Sequence, residues 1–168
     1  KAKLKRKNRV NTLVVDTSKL VGSGVGATTL NDGLSYGNYP YGTRVQDERI
    51  SLNTGDIIEI LGIFESNNTS QASAPRLTLT SISGPTGKTS DLIIGEKITG
   101  KTSGSIAVVA EKVADEQISY IDLNDFGFSE GETVTFEESD LQAVISSLDI
   151  PSKDISANYT FNNGQKST

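Results

Sequence analysis

Short apolar runs alternate with polar, glycine-rich segments along most of the chain, and the runs are rich in Ile, Val, Thr, Phe and Tyr. These residues pack well on a pleated, half-buried surface, so the pattern predicts strands. No stretch keeps apolar residues at helical spacing over three turns, which argues against a helical fold. Eight runs are predicted as strands: Arg9–Asp16, Asp56–Ser66, Arg76–Ser83, Asp91–Thr99, Ser105–Lys112, Gln117–Leu123, Glu132–Phe136 and Leu141–Leu148.

The order of these strands predicts an all-β chain with little helix, built from two small barrel or sandwich modules in series. The first module is expected over residues 1–84, where Asp56–Ser66 and Arg76–Ser83 should form a hairpin. The second is expected over residues 85–148 as a five-stranded barrel or sandwich. Residues 149–168 are expected to be the start of a further, truncated domain.

A weak internal repeat marks the entry to three of the predicted strands. A glycine can adopt the positive φ that a sharp corner requires, and the acid that follows it is expected to stay in water. The repeated pairs, spaced by 40 and 36 residues, are Gly55-Asp56, Gly95-Glu96 and Gly131-Glu132. Coincidence is the alternative, because glycine-acid pairs are common in turns. A separate hairpin turn is predicted at Ala114–Glu116, between two alternating runs.

The composition excludes several kinds of chemistry. The 168 residues include no His and no Cys, which rules out Ser-His and Cys-His nucleophiles, thiolate metal sites and disulfides. The acidic residues are scattered over predicted turns, and no regular element pairs two of them so that one pKa is raised against the other. No enzymatic activity is therefore expected, with a Ser-Lys or paired-carboxylate enzyme as the alternative. No apolar run approaches the roughly 18 residues of a membrane span.

The net charge of −5 is unevenly distributed. Six of the sixteen basic residues lie within the first nine positions, and no acid precedes Asp16. The remainder has ten basic against twenty-one acidic residues, a net charge of −11, which argues against nucleic-acid binding by the folded part. The basic run is interpreted as a solvated strand extension; contact with nucleic acid or with an acidic neighbour is the alternative.

Two short motifs resemble ligand-binding loops without matching them. The segment 84–90, GPTGKTS, has Ile82 where a phosphate-binding loop needs glycine, and it leads into a strand pattern instead of a helix. A Pro-Gly linker between two β units is predicted. The segment 122–133 partly matches a calcium loop, but Phe126 and Thr133 replace two ligands. An acidic surface turn is predicted there, with a weak ion site as the alternative.

A long Gly/Tyr-rich segment, residues 21–54, separates the first predicted strand from the second. Loops of this length in compact domains usually bind something or pack on a neighbour. Three of the five tyrosines lie here within six residues, so a candidate interface is assigned to Tyr36, Asn38, Tyr39 and Tyr41. Packing on the core of their own domain and stacking on sugars are the two alternatives.

Several segments together resemble large virion structural proteins of contractile-tailed marine bacteriophages, notably cyanophages. They are TLNDGLSYGNYPYGTRVQDERISL (Thr29–Leu52), GDIIEILGIFES, SAPRLTLTSISGPTG, LIIGEKITGKTSGSIAVV (Leu92–Val109) and ISANYTFNNGQKST. The resemblance implies a component of the baseplate or tail-fibre region, located in a virion assembled in the host cytoplasm. It further implies other virion structural proteins as partners, in multiple copies, with no enzymatic activity, no cofactor and no small-molecule substrate. The family supplies no site residues for transfer. A receptor- or glycan-binding tail module that uses the tyrosine segment is the alternative.

Overall fold

The computed structural model describes residues 52, 57–68 and 72–162. Within these residues the regular structure is almost entirely strand, so the all-β class is confirmed. The short 3-10 turns are Thr89–Asp91 and Ser156–Asn158. The strands are β1 (Phe64–Ser66), β2 (Arg76–Ser83), β3 (Lys97–Gly100), β4 (Ile106–Ala114), β5 (Gln117–Asp122), β6 (Thr133–Phe136), β7 (Gln142–Asp149) and β8 (Ser152–Asp154).

Most predicted strands within the described residues lie close to their expected bounds. Two are shorter: Asp56–Ser66 forms a strand only at β1, and Asp91–Thr99 only at β3. In the second case the positive φ of Gly95, +86°, turns the chain just before β3 begins. The hairpin turn predicted at Ala114–Glu116 is confirmed, because β4 and β5 pair up to its ends. The strand predicted at Arg9–Asp16 lies outside the described residues.

Six strands close into an antiparallel barrel in the order β2-β5-β4-β3-β6-β7. β2, which was expected in the first module, pairs with both β5 and β7 and supplies the sixth strand. Five strands alone would leave two unpaired sheet edges, and β2 removes both. The hairpin predicted between Asp56–Ser66 and β2 is therefore wrong, because both edges of β2 are already paired. β1 pairs instead with β8 in a separate two-stranded sheet.

Alternate residues of each barrel strand point inward, as the pleat requires, and fill one apolar core. The core contains few aromatic side chains and is dominated by aliphatic ones. Its buried members are Leu77, Leu79, Leu92, Ile98, Ala107, Val109, Ile118, Tyr120, Phe128, Val134, Phe136, Leu141, Ala143 and Ile145.

The barrel consists of two halves with the same pattern of pairing. β3-β4-β5 forms one three-stranded meander, and β6-β7-β2 forms the other. The two meanders meet at β3·β6, centred on Thr99 opposite Thr135, and at β2·β5, centred on Leu77 opposite Ile118. Each register is symmetric about its central pair, so the halves are related by an approximate twofold arrangement.

Backbone hydrogen bonds repeat between the halves at an offset of 36 residues. The N–H of Gly95 donates to the carbonyl of Val109 over 2.7 Å, and that of Gly131 donates to the carbonyl of Ile145 over 2.8 Å. Gly131 also has a positive φ, +83°, as predicted for the glycine of this repeat. The weak sequence repeat therefore corresponds to a structural one for its second and third members. Its first member, Gly55-Asp56, lies outside the described residues.

The outer face of β5 is covered by the segment that carries β1. Ile121 points out of the barrel yet is buried. A Cβ added at Gly62 would lie 2.9 Å from the Phe64 ring and 3.3 Å from Ile121 Cγ2, so this segment packs closely on β5. The backbone N–H of Ile63 also donates to the hydroxyl of Ser156 over 2.8 Å, which connects the segment to the residues after β8.

Ser105 lies in the core of one half where the other half has Leu141. Its side chain is fully buried, and its hydroxyl has no partner among the described residues.

We expect Ser105→Ala to leave the free energy of unfolding unchanged or to raise it by up to about 2 kcal/mol, because a desolvated hydroxyl is removed. Urea denaturation measures this. Ser103→Ala should lower stability, because that hydroxyl bonds to Glu132 and to the Ser105 N–H; equal losses in both variants would contradict the prediction.

Candidate functional site

The tyrosine segment lies outside the described residues. The interface assigned to Tyr36, Asn38, Tyr39 and Tyr41 therefore stays a prediction. The candidate site within the described residues is formed by the barrel and by the loops that the barrel positions.

The acid of the repeat was expected to stay in water, and this expectation is wrong. Glu96 is only 1 % exposed. Its Oε1 accepts a hydrogen bond from the N–H of Ile93, and its Oε2 accepts bonds from the N–H of Glu138 and from the N–H and hydroxyl of Ser139, over 3.1, 2.9 and 3.0 Å. Four donors that turns would otherwise expose are satisfied by one carboxylate, which explains its burial.

Glu132 has the same arrangement in the other half. Its Oε1 accepts from the N–H of Ser129 over 2.8 Å, and its Oε2 accepts from the N–H of Thr102 and from the N–H and hydroxyl of Ser103. Burial by itself raises the pKa of Glu132, but these hydrogen bonds outweigh it and hold the pKa below its usual value. Each glutamate therefore fastens a turn of the opposite half, and its oxygens are occupied.

A sequence signal for this exchange existed. Each glutamate is followed by a serine seven residues later, Glu96 by Ser103 and Glu132 by Ser139. Each carboxylate nevertheless bonds to the serine of the other half. Such reciprocal contacts depend on how the halves pair, and the spacing alone does not reveal that pairing.

The segment 84–90 connects β2 to β3 within one barrel and is therefore not a linker between two modules. It leads into the 3-10 turn Thr89–Asp91 and does not open a helix, so no helix N-terminus is present to hold a phosphate. Lys112 donates its side-chain N–H to the carbonyl of Ser90. A shallow pocket of about 260 Å³ lies beside this turn, and the lysine and Asp115 are the charged side chains that line it.

The partial calcium motif places its side chains in structural contacts. Asn124 Oδ1 accepts the N–H of Ile106 over 3.0 Å, and Asn124 Nδ2 donates to the carbonyl of Gly104 over 3.1 Å. The acid at the eleventh position is Glu132, which faces the interior. Across the described ranges, no group of three or more Asp or Glu side chains is placed to hold a metal ion. The surface-turn prediction is the one that these contacts favour.

The same loop displays an exposed aromatic side chain. Phe126 is 73 % exposed. Its neighbour Phe128 is buried and packs edge-on against Tyr120, with ring centroids 5.3 Å apart and planes at 78°. Phe128 on one side and the two bonds of Asn124 on the other anchor the loop to the barrel. Phe126 is therefore held in the solvent by a fixed backbone.

The two halves of the barrel provide an internal comparison for this loop. The connection from β2 to β3 corresponds to the connection from β5 to β6. At the 36-residue offset, Leu92 takes the place of Phe128, and both are buried core residues. The position equivalent to Phe126 is Ser90. The fold thus requires an apolar side chain at the buried position but not at the exposed one.

Asp122, at the end of β5 where the phenylalanine loop begins, interacts electrostatically with two further carboxylates. Partial burial, followed by repulsion from Asp154 and Asp125, raises the pKa of Asp122. The described residues as a whole carry six basic and sixteen acidic side chains. We call Asp122, Leu123, Asp125 and Phe126 the Phe126 surface. It combines an apolar centre with an acidic rim, which is the composition of a binding patch for a partner with the opposite charge.

Comparisons of the chain with models of known protein families, with curated proteins and with solved structures found no match. In the part of the chain that the structure describes, no helix is long and apolar enough to cross a membrane.

We expect Asp122→Asn to raise the free energy of unfolding at pH 7 by less than about 1 kcal/mol, because it removes a charge that partial burial disfavours and that two neighbours repel. The effect stays small because solvent partly screens the charge. The raised pKa has the same consequence in the parent chain: this carboxyl destabilises the fold above its ordinary pKa and ceases to do so once it is protonated. Urea denaturation at low and high salt measures the effect, with the exposed Asp149→Asn as control. A loss of stability in Asp122→Asn would contradict the prediction.

Proposed function

We propose that this chain is a non-enzymatic structural component of a bacteriophage particle that acts by protein–protein assembly. The observation that carries the proposal is Phe126, an exposed aromatic side chain on an anchored loop that its own barrel does not require. Aromatic residues that protrude from a rigid surface are typical anchors of protein interfaces.

The interior chemistry of the barrel supports the same proposal. Glu96 and Glu132 are buried, and their carboxylate oxygens accept hydrogen bonds from residues in turns. A closed barrel stiffened in this way holds its loops in fixed positions, which lowers the entropy lost when the loops bind a partner. This arrangement suits a spacer or docking module.

The assignment to the tail, baseplate or tail-fibre region comes from the sequence resemblance. In such a particle the partners are other virion structural proteins, and many copies are present. Weak contacts repeated around a symmetric assembly add up to strong attachment by avidity. A surface of modest size, such as the Phe126 surface, is then sufficient.

The rival function, a receptor- or glycan-binding tail module, depends on the tyrosine segment. The three tyrosines within six residues favour it, because such rings can stack on sugars. A glycan array with Tyr39→Ala and Tyr41→Ala variants distinguishes the two functions. Specific sugar binding that is lost in these variants would favour the rival.

Replacing Phe126 by Ser tests the assembly proposal. We expect the isolated chain to keep its melting temperature, because the ring is exposed, while incorporation into particles falls at least about tenfold through loss of an interface anchor. The measurement is quantitative mass spectrometry of purified particles from the bacteriophage that encodes the chain. Ile150→Ser, which removes another exposed apolar side chain, 68 % exposed, is the matched control.

Two results would contradict the proposal. Parent-level incorporation of Phe126→Ser would remove the anchor role of the loop. Particles that assemble normally but no longer attach to host cells would move the function to receptor binding.

A further inference from the structure

We propose that the Phe126 surface binds the basic segment Lys1–Arg9 of this same sequence. This segment lies outside the described residues, and its amino-acid sequence is what fits it to the surface. The inference rests on the proposed assembly function, because it names the partner that the same Phe126 surface recognises.

The surface is ready for an occupant before binding. Phe126 is 73 % exposed and Leu123 is 51 % exposed, so two apolar side chains face solvent in the segment that follows β5. The Phe126 ring lies over Gly104, where an added Cβ would come 3.9 Å from Cδ2 of the ring. Because the loop is anchored by Asn124 and Phe128, binding would order little additional backbone.

The rim of the surface carries an excess of negative charge. Asp122 is repelled by Asp154 and Asp125, and among the described residues acids outnumber basic side chains sixteen to six. A cationic partner would relieve this repulsion. Single exposed ion pairs contribute little, but several brought together by one partner steer association and set its specificity.

The first ten residues, KAKLKRKNRV, have the complementary composition. Six of them are basic, and the first acid in the sequence is Asp16. In an extended conformation, alternate side chains point in opposite directions. Lys3 and Lys5 would then lie on one side of the segment, and Leu4 would point to the opposite side. The side that carries Lys3 and Lys5 matches the acidic rim, and the aliphatic stems of these lysines can pack on the Phe126 ring.

Photo-crosslinking in the full-length chain tests the inference. Phe126 is replaced by the photo-reactive analogue p-benzoylphenylalanine, which keeps the aromatic shape at an exposed position. After illumination, digestion and mass spectrometry, we expect the main crosslinked peptides to come from Lys1–Arg9. Because the attraction is electrostatic, the crosslink yield should fall at least about fivefold between about 0.05 M and about 0.5 M NaCl.

A charge exchange adds specificity to the test. Asp122→Lys with Asp125→Lys should lower the yield at least about fivefold, and Lys3→Glu with Lys5→Glu in the same chain should restore it. The matched control reverses two other exposed acids, Glu111→Lys with Glu137→Lys, and should leave the yield unchanged. A melting temperature no lower than that of the parent chain in each variant shows that the fold persists.

Mixing isotopically light and heavy chains separates the two ways in which the segment can dock. Mixed-isotope crosslinks to Lys1–Arg9 support docking between copies, which agrees with the assembly function. Pure-isotope crosslinks support docking within one chain, which keeps the inference but covers Phe126 and contradicts its role as an assembly anchor. Crosslinks to other segments, or to an unrelated protein in purified particles, would overturn it. The last result would leave the proposed assembly function intact, so the two failures are distinguishable.

Discussion

Replacing Glu96 by Ala is expected to lower the free energy of unfolding by about 3–5 kcal/mol, one of the two largest effects anticipated for this chain. The carboxylate is 1 % exposed and accepts hydrogen bonds from Ile93, Glu138 and Ser139. Removing it leaves these donors without their acceptor and frees the turn of the opposite half. Each buried donor that is left without a partner costs about 1–3 kcal/mol. Water can hydrogen-bond to some of these donors in the variant, so the total loss is smaller than the sum of the individual costs.

Two further variants separate the charge from the shape of this side chain. Glu96→Gln keeps the shape and one oxygen, so it should lose about 1–3 kcal/mol, an intermediate amount. Glu111→Ala removes an exposed glutamate from β4 and should lose less than about 0.5 kcal/mol. Chemical denaturation followed by circular dichroism measures all three. Equal stabilities of Glu96→Ala and Glu111→Ala would show that the buried carboxylate does not hold the turn.

The pH dependence gives an independent readout at Glu132. Its pKa in the fold lies below the ordinary 4.5, so the carboxylate stabilises the fold above that pH. The contribution is lost as the pH falls from 4.5 through the lowered pKa. Glu132→Gln should therefore flatten the acid side of the stability curve. Asp122 acts in the opposite sense, so the comparison is clearest in an Asp122→Asn background.

The second large effect is expected at the pair on the approximate twofold axis. Leu77→Ala and Ile118→Ala should each lower the free energy of unfolding by about 2–5 kcal/mol, because both side chains are fully buried and each truncation leaves a cavity. Their losses should resemble each other, since the two residues are opposite each other in the register of β2 and β5. Because the cavities would merge, the double variant should lose less than the sum.

Leu123→Ala is the control for the axial pair, because its side chain is half exposed and should cost less than about 1 kcal/mol. Denaturant titration with a shared slope measures the three variants. A small loss at Leu77 combined with a large loss at Ile118 would contradict the closure of the barrel by β2. It would mean that β2 is peripheral to the core.

The twofold arrangement explains why the sequence order conceals the barrel. The third strand of the meander β6-β7-β2 is β2, which precedes β3 in the sequence instead of following β7. The chain after β7 instead continues to β8, which pairs with β1. Each half is thus complete in space although one is interrupted along the chain.

Local rules allowed much of this fold to be predicted. Alternation with β-branched residues located β2 and β4 to β7, since a strand with one buried face must repeat every two residues. Glycine at a corner predicted the positive φ at Gly95 and Gly131, because other side chains rarely adopt that conformation. The alternating runs on either side also located the turn between β4 and β5. These features depend on neighbours in sequence.

Only the tertiary structure decided the features that depend on distant partners. The closure by β2 and the pairing of β1 with β8 join segments that no local pattern connects. Glu96 appeared to be a solvated turn residue, because its hydrogen-bond donors at Ser139 lie 43 residues away. In the sequence, Phe126 is only a mismatch to a calcium-binding motif. In the structure, the hydrogen bond from Ile106 of β4 to Asn124 fixes the loop so that Phe126 is exposed at the surface. Strand identity is therefore local, whereas the burial of an acid and the exposure of an aromatic ring are set by pairing across the barrel.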